Sequence, residues 1–469
     1  MQSINKRTYR SFLVIIVICC TIESCSKLVQ VPEPVNTVSS EAIFSSDGSA
    51  TSALLGIYND MVTGHQGGGY QMSYANGLIS INAGMSADEL RRFNGSSVFE
   101  TNTLNVRNFP TGDFWNNPYY NIYVANAVIE GVAGSVAITA GTRNQLTGEA
   151  KFLRAFCLFY LVNLFGDVPV PLTTAYEKTS TLYRVAQDQV YQQIIADLQE
   201  SASLLKDDYS VSGGDKVRVN KAGALALLAR AFLYQKKWAE AEMAASAVIE
   251  SGKYTLVDDL TKVFLTNSPE AILQWQLQPG IAPFATVEGF TILPTTNSPP
   301  GYYLRNELLK SFDSTDERRK VWIDSFKVAT TWYYYPKKYR VRFGVSGDIT
   351  ESPMILRLAE LYLIRAEARA QQDKLPLAIE DLNMIRKRAG LPELSMLSQA
   401  EVLSAVSQER RSELFCEWGH RWLDLKRTGQ ADAVLSALKP STWKSTAKLY
   451  PIPAAELVNN ANLIQNPGY

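Results

Sequence analysis

Two stretches of this chain share one pattern of small residues, and that pattern limits how it can pack. Leu227-Leu-Ala-Arg-Ala-Phe-Leu-Tyr-Gln-Lys-Lys-Trp-Ala-Glu-Ala241 can be laid on Ile364-Arg-Ala-Glu-Ala-Arg-Ala-Gln-Gln-Asp-Lys-Leu-Pro-Leu-Ala378. Ala229 then falls on Ala366, Ala231 on Ala368 and Ala241 on Ala378. A small residue in one amphipathic helix, with another twelve positions later in the next, lets two antiparallel helices approach closely. The alternative is two unrelated Ala-rich helices. Helical periodicity dominates roughly 46–62, 112–165, 184–251 and 355–437. The interval 252–354 breaks it with Pro279, Pro283, Pro294, Pro299 and Pro300, and with short alternations such as Ala271-Ile-Leu-Gln-Trp-Gln-Leu277 that suit strands and loops.

These signals predict a mainly α fold. Helical hairpins of tetratricopeptide type stack into a superhelix, and an irregular excursion of loops and short strands projects from it. Helical scaffold is expected over 46–62, 112–251 and 355–437, irregular loops, which the resemblance described below implies face the ligand, over about 63–111 and 252–354, and a C-terminal segment over 438–469. Residues 46–469 then form one interwoven fold.

The N-terminus reads as an export signal. Lys6, Arg7 and Arg10 precede the apolar run Phe12-Leu-Val-Ile-Ile-Val-Ile-Cys-Cys-Thr-Ile22, which is too short to cross a bilayer as a helix. Ile22-Glu-Ser-Cys25 places a cysteine behind a small residue, which resembles a bacterial lipobox and makes Cys25 the expected lipidation site after removal of residues 1–24. Ordinary cleavage nearby, leaving Cys25 a free thiol, is the alternative. Residues 25–45, with Val31-Pro-Glu-Pro34, read as an extended tether. Lipid would be the membrane anchor, since no later segment is long and apolar enough to span.

Charge and composition exclude several classes of function. The full chain has 46 basic and 46 acidic residues; without residues 1–24 the balance is 43 to 45, a net charge of −2. No basic block tracks a phosphate backbone, so no nucleic acid is expected. Two histidines and five cysteines leave little material for imidazole catalysis or a Cys/His metal site. Cys157 and Cys416 sit in helical apolar contexts where a thiol acts as a small hydrophobe. Asp313, Asp316 and Asp324 lack calcium-loop spacing. Gly67-Gly-Gly69 lacks the Lys-Ser/Thr of a phosphate loop, and His65 has no nucleophile beside it. No metal and no cofactor are assigned.

Longer strings carry a specific resemblance. Gly148-Glu-Ala-Lys-Phe-Leu-Arg-Ala-Phe-Cys-Leu-Phe-Tyr-Leu-Val-Asn-Leu-Phe-Gly-Asp-Val-Pro-Val-Pro171, Leu356-Arg-Leu-Ala-Glu-Leu-Tyr-Leu-Ile-Arg-Ala-Glu-Ala368, Glu409-Arg-Arg-Ser-Glu-Leu-Phe-Cys-Glu-Trp-Gly-His-Arg-Trp-Leu-Asp-Leu-Lys-Arg427 and Leu449-Tyr-Pro-Ile-Pro453 occur in family order. The chain strongly resembles the SusD/RagB family of outer-membrane nutrient-binding lipoproteins. The resemblance implies a non-enzymatic protein that binds oligosaccharides and passes them to a SusC-like TonB-dependent transporter. It also implies an outer-membrane location, lipid-anchored and surface-exposed. Ser26-Lys-Leu-Val29 lacks the acidic run that often accompanies surface export. Peptide capture, as in members resembling RagB, is a second reading. A secreted glycoside hydrolase and a pure protein-interaction scaffold are rivals from other classes.

The candidate residues follow from what a sugar needs: flat apolar faces for its C–H side and planar hydrogen-bonding groups for its hydroxyls. Such residues fall in the irregular segments: Tyr70, Tyr74, Arg91 and Asn94 in one, Tyr302, Tyr303, Trp332 and Tyr333 in the other, with Trp322 nearby. By resemblance, the ligand platform is built from these two parts of the chain. Trp275, Trp115 and Trp238 read as packing residues. Glu409, Glu413 and Glu417 stand at helical spacing among Arg410, Arg421 and Arg427, any of which could neutralise a partly buried carboxylate. A catalytic acid pair is disfavoured because arginines keep both carboxylates ionised. Arg357, Glu360, Arg365 and Glu367 are expected to tie neighbouring helices together. His420 reads as a packed or surface histidine.

Overall fold

In the computed structural model, residues 39–64, 72–107 and 112–469 are described. Residues 1–43 and 44–469 form two separate units. In the first, Ser40–Ile43 make one helical turn, and Phe44 is buried at the start of the second, so the extended tether expected over 25–45 does not run to residue 45; the signal and Cys25 lie outside the described residues. All that follows concerns the second.

The hairpin pattern organises this unit. Helices α1 (Asp47–Thr63), α2 (Leu78–Ser86), α3 (Gly112–Gly134), α4 (Ala140–Phe165), α5 (Gln187–Leu204), α6 (Lys221–Tyr234) and α7 (Trp238–Ile249) precede the excursion. After it come α8 (Leu358–Gln371), α9 (Leu375–Arg388), α10 (Gln399–Glu413), α11 (His420–Arg427) and α12 (Ala431–Leu438). From α3 to α10 each helix packs on the next, and α7 packs directly on α8 although some 108 residues separate them in sequence. The excursion therefore leaves the stack and returns to it without interrupting it. Ala229, Ala231, Ala241, Ala366, Ala368 and Ala378 are all fully buried at the helix contacts, where a larger side chain would overpack by about 1–3 kcal/mol. The turns repeat as well. Lys236 and Asp373, equivalent in the sequence register, have φ of 55° and 60°. In each turn an amide closes back onto the first helix: Lys237 on the Phe232 carbonyl and Lys374 on the Arg369 carbonyl, both at 2.9 Å.

The second half of helix α4, residues 152–165, is apolar nearly all round, which suits only a helix enclosed by others. Its Phe156 meets Trp275 at 5.3 Å and Trp418 at 5.2 Å between ring centroids, and Tyr160 meets Trp418 at 5.3 Å. Each such aromatic contributes roughly 1.5–3 kcal/mol by burial. The C-terminal segment closes this core: Tyr450 is fully buried against Phe99 and Phe114, and its N–H donates to the Leu164 carbonyl at 2.8 Å.

The expectation of ligand-facing loops throughout 63–111 needs correction. Leu78–Ser86 form a helix with every residue buried. Its run of apolar and small residues is helical core, which Gly77 at its start and its shortness disguise in the sequence. Helix α11 rests on it.

Among the described residues, six short strands pair antiparallel in twos: β1 (Leu90–Arg92) with β3 (Tyr302–Leu304), β2 (Ala271–Gln274) with β6 (Met354–Arg357), and β4 (Ile323–Val328) with β5 (Thr331–Pro336). A buried ion cluster joins the excursion to the stack. Arg357, at the excursion's exit, reaches Glu270 at 2.9 Å, Glu413 at 2.6 Å and Glu417 at 2.8 Å. Arg388 bridges Glu270 and Glu413. Arg318, just before β4, holds Asp316, Glu409 and Glu413; Lys338, just after β5, holds Glu417 at 2.5 Å and stands 4.0 Å from the Phe415 ring centroid. Both feet of the β4–β5 hairpin are thus tied to α10 and the turn after it.

Candidate functional site

Two of the sequence-predicted segments, more than 200 residues apart, meet at one surface. Arg91 pairs with Tyr303 and Arg92 with Tyr302 across the β1–β3 ladder, and the Phe93 N–H donates to the Gly301 carbonyl at 3.0 Å. Strand β3 also packs on β5. Tyr303 meets Tyr333 edge to face at 5.0 Å, and Phe93 meets the same Tyr333 at 4.9 Å. The Arg91 guanidinium stands 5.7 Å from the Tyr303 ring centroid, and its Nε donates to Glu100 at 2.8 Å. Each aromatic pair contributes about 0.5–1.5 kcal/mol beyond area burial, so rings and guanidinium hold each other in place before any ligand arrives.

The electrostatics suit hydroxyl recognition. Burial pushes both the Tyr302 and Tyr303 phenols above their ordinary value, so each is neutral and can donate and accept. Burial opposes the charge on Arg91, but the hydrogen bond to Glu100 and the neighbouring acidic groups Tyr303, Glu100 and Glu307 together outweigh it and hold the guanidinium above its usual range. Asn94 is exposed beside them in the turn that ends β1.

Strand alternation divides the β5 pair. Tyr333 lies opposite Phe326 and faces Tyr303, whereas Trp332 lies opposite Lys327 on the reverse face of the hairpin. Trp332 is 53% exposed, with the Lys327 ammonium 5.4 Å from its ring. The structure therefore unites Arg91, Tyr303 and Tyr333 and sets Trp332 apart; the same alternation turns Tyr302 to the reverse face of the β1–β3 ladder, beside Arg92, and Asn94 is exposed just past β1.

Two expected contacts do not join this surface. Tyr74 is 1% exposed, packed edge-on against Tyr160 in the core. Trp322 is fully buried, its indole N–H donating to the Leu260 carbonyl at 2.8 Å. Tyr70, with His65 and Gly67–Gly69, lies outside the described residues. Phe93 and Glu100 are neighbours of this candidate surface that sequence reasoning missed. Phe93 was open to detection by its place in the Arg-Arg-Phe-Asn run; Glu100, on the helical turn Val98–Thr101, carried no signal.

The other singled-out residues are structural. Trp275 is fully buried beside Tyr58, Phe156 and Trp418, and Trp115 is buried against Phe165. The Glu413 and Glu417 carboxyls sit below the usual range: burial opposes this, and Arg388, Arg357 and Arg318 around Glu413, and Arg357 and Lys338 around Glu417, outweigh it. Neither is a general acid. The arginines expected to serve them serve others: Arg410 and Arg427 pair with Asp424, Arg427 also with Glu367, and Arg421 with Asp88. The partners of Glu413 come instead from the excursion and α9, which helical spacing cannot reveal. Glu360 pairs with Arg230 of α6 and Arg365 with Asp381 of α9, as helix ties. Burial pushes the packed His420 imidazole down to about 4. Asp316 caps its helix and binds Arg318, Asp324 binds Lys337, and Asp313 accepts from Thr315. Among the described residues, no group of three or more His, Cys, Asp and Glu could hold a metal ion.

A second aromatic concavity, of about 430 Å³, is lined by Trp115, Tyr119, Tyr123, Tyr176 and Asn460. Tyr123 and Tyr176 are exposed at it.

Comparison with known proteins agrees with this architecture. A family model described as the SusD family matches residues 323–469, and one described as starch-binding, associating with the outer membrane, matches 67–233. The chain is 27% identical to SusD-like protein P2 of Formosa agariphila over 97% of its own length and 98% of the relative's. It is 25% identical to the starch-binding protein SusD of Bacteroides thetaiotaomicron over 68% of this chain and 72% of that one. Among solved structures, a laminarin-binding SusD-like protein superposes with a TM-score of 0.75 at 24% identity, covering 90% of this chain and all of that one. A SusD superfamily protein of Bacteroides vulgatus superposes with a TM-score of 0.78 at 21% identity, covering 91% and all.

Proposed function

The chain belongs to the SusD/RagB family, and from that premise we propose that it is a non-catalytic capture protein for oligosaccharides. The reading rests on one observation above the rest: Arg91, Tyr303 and Tyr333 converge on a preorganised surface, with Tyr333 mounted on a hairpin whose feet are held by buried ion pairs. Tyr303 and Tyr333 supply flat faces, the neutral phenol of Tyr303 supplies a hydroxyl partner, and Arg91 supplies a planar donor. Names of relatives point the same way, toward starch in one case and laminarin in another.

In this reading Cys25 carries lipid, the residues between it and the helical turn at Ser40–Ile43 form the tether, and the anchored protein stands on the outer membrane facing outward. Its partner is a SusC-like TonB-dependent transporter, which receives the captured ligand when the two close on each other. Titration against a panel of neutral oligosaccharides tests the reading, with Tyr303→Ala and Tyr333→Ala as site variants. Binding by the wild type with at least about a tenfold loss in each variant supports it. Binding of peptide mixtures but of no sugar would transfer the site to peptide capture. Release of reducing sugar from a polymer would contradict the non-catalytic reading.

A further inference from the structure

Three separate parts of the chain are tied together around the second aromatic concavity. Helix α3, the segment 166–186 that follows α4, and the C-terminal helical turn Ala454–Asn459 enclose it. The ties are hydrogen bonds from side chains to backbone carbonyls: Tyr119 to Pro169 at 2.9 Å, Asn126 to Pro171 at 3.1 Å and Asn460 to Leu182 at 2.8 Å. Trp115, 4.9 Å from Tyr119 between ring centroids, lines the buried side. The outer rings are bare, with Tyr123 53% and Tyr176 75% exposed. Among the described residues neither phenol has a hydrogen-bond partner, and neither do the side chains of Ser180 and Asn459 on the same wall.

Leu172 and Tyr183, next in sequence to Pro171 and Leu182 of the wall, are exposed as well, so apolar groups gather here instead of being scattered singly. The volume, about 430 Å³, lies within the ~300–1,000 Å³ range of small-molecule sites. Phenol faces offer a stacking surface for the C–H side of a sugar ring, and the uncommitted hydroxyls and amide at their edge offer partners for its hydroxyls. Charge narrows the class. Among the described residues, the wall bears one carboxylate, Glu456, and no Lys or Arg. Arg184, near Tyr119, spends its guanidinium on the Asp167 and Ile464 carbonyls and the Asn466 side chain, and Lys178 lies near Glu130. An anionic sugar would therefore meet a carboxylate and no free cation. Resting on the oligosaccharide reading above, we infer that this concavity is a second binding site, for neutral sugars, sharing no residue with the platform. It is the weaker of the two. Tyr176 stands on the four-residue turn Tyr176–Thr179, whereas Tyr333 is already held by two rings, so more ordering must accompany binding here.

Calorimetric titration of the neutral oligosaccharide panel into Tyr333→Ala protein tests this, because the platform is disabled there and the concavity is intact. At least one sugar should give a residual saturable event with a Kd of about 1 mM or below, and adding Tyr123→Ala or Tyr176→Ala should weaken it at least about fivefold. Both rings project from the surface, so their removal leaves the core intact. Sodium glucuronate should give no event. In otherwise unaltered protein, Tyr176→Ala should leave the tight event at wild-type affinity. The two sites thus fail separately: a tight event that survives Tyr333→Ala counts against the platform, while the concavity is judged by the two tyrosines that line it. No event for any sugar in Tyr333→Ala protein, an event indifferent to both Tyr123→Ala and Tyr176→Ala, or equal binding of glucuronate would overturn the second site. Self-association of the wild type that Tyr176→Ala abolishes, without any sugar event, would overturn it in favour of a protein contact.

Discussion

Replacing Glu413 by Gln tests whether the buried ion cluster holds the excursion to the helical stack. The substitution keeps the shape of the side chain and removes one negative charge from a fully buried position. Five carboxylates, Glu270, Asp316, Glu409, Glu413 and Glu417, are matched there by Arg318, Lys338, Arg357, Arg386 and Arg388. With Gln at 413, four carboxylates face five cations, and Arg318, Arg357 and Arg388 each lose a charged partner. Leaving one buried charge uncompensated costs about 3–5 kcal/mol. Breaking the exposed Glu317–Lys320 pair, whose side chains are 45% and 55% exposed, should cost at most about 1 kcal/mol. Denaturant unfolding followed by tryptophan fluorescence measures both, since Trp322 packs beside the cluster. The sign with pH is also fixed. The folded-state value of Glu413 lies below its ordinary 4.5, so its contribution is present above 4.5 and is lost as pH falls toward the folded value. The wild type should therefore lose its advantage over Glu413→Gln in acid. A variant within about 1 kcal/mol of the wild type at pH 7, no worse than Glu317→Gln, would refute the view that this cluster clamps the hairpin's feet.

Three other outcomes follow from single residues. Lys236→Gly and Asp373→Gly relieve left-handed backbone strain of ~1–2 kcal/mol, offset in part by the entropy of glycine, so each should stabilise by roughly 0.5–1 kcal/mol in the same unfolding assay. Burial, with Asp88 adjacent, pushes the Glu89 carboxyl up to about 8 from its ordinary 4.5. The folded state then keeps a proton that the unfolded state loses: stability is full below pH 4.5 and falls by up to about 1.4 kcal/mol per pH unit until pH 8. Glu89→Gln should flatten that slope and show its gain most clearly at pH 8–9, as read from unfolding midpoints across pH. Ala231→Leu and Ala368→Leu should each destabilise by about 1–3 kcal/mol, because both alanines are fully buried where helices meet.

Much of the scaffold was legible because its determinants are local. The alanines that mark one hairpin also mark the other, and the match extends to turn residues whose backbone angles agree. Helix α2 was not legible, because nine residues between Gly77 and Ala87 are too few to display a period, and all nine are buried so that no polar face marks it. For the platform, residue type pointed to Arg91, Tyr302, Tyr303 and Tyr333, but partnership did not follow from it. The β1–β3 ladder joins residues more than 200 positions apart, and only that pairing distinguishes Tyr303, at the surface beside Arg91, from Tyr74, in the core beside Tyr160. The alternation that sends Tyr333 and Trp332 to opposite faces is a property of any strand, yet which face meets β3 depends on tertiary packing. The same limit hid the partners of Glu413, which arrive from before β4, from the exit of the excursion and from the end of α9.

The central claim is that Arg91, Tyr303 and Tyr333 form the capture surface, and calorimetry with a binding oligosaccharide tests it most directly. Three variants should be compared with the wild type: Tyr303→Ala, Tyr333→Ala, and Tyr176→Ala in the second aromatic concavity. At least about a tenfold loss of affinity in the first two, with Tyr176→Ala at wild-type affinity, is the predicted result. Unchanged affinity in both platform variants, or a loss confined to Tyr176→Ala, would contradict it.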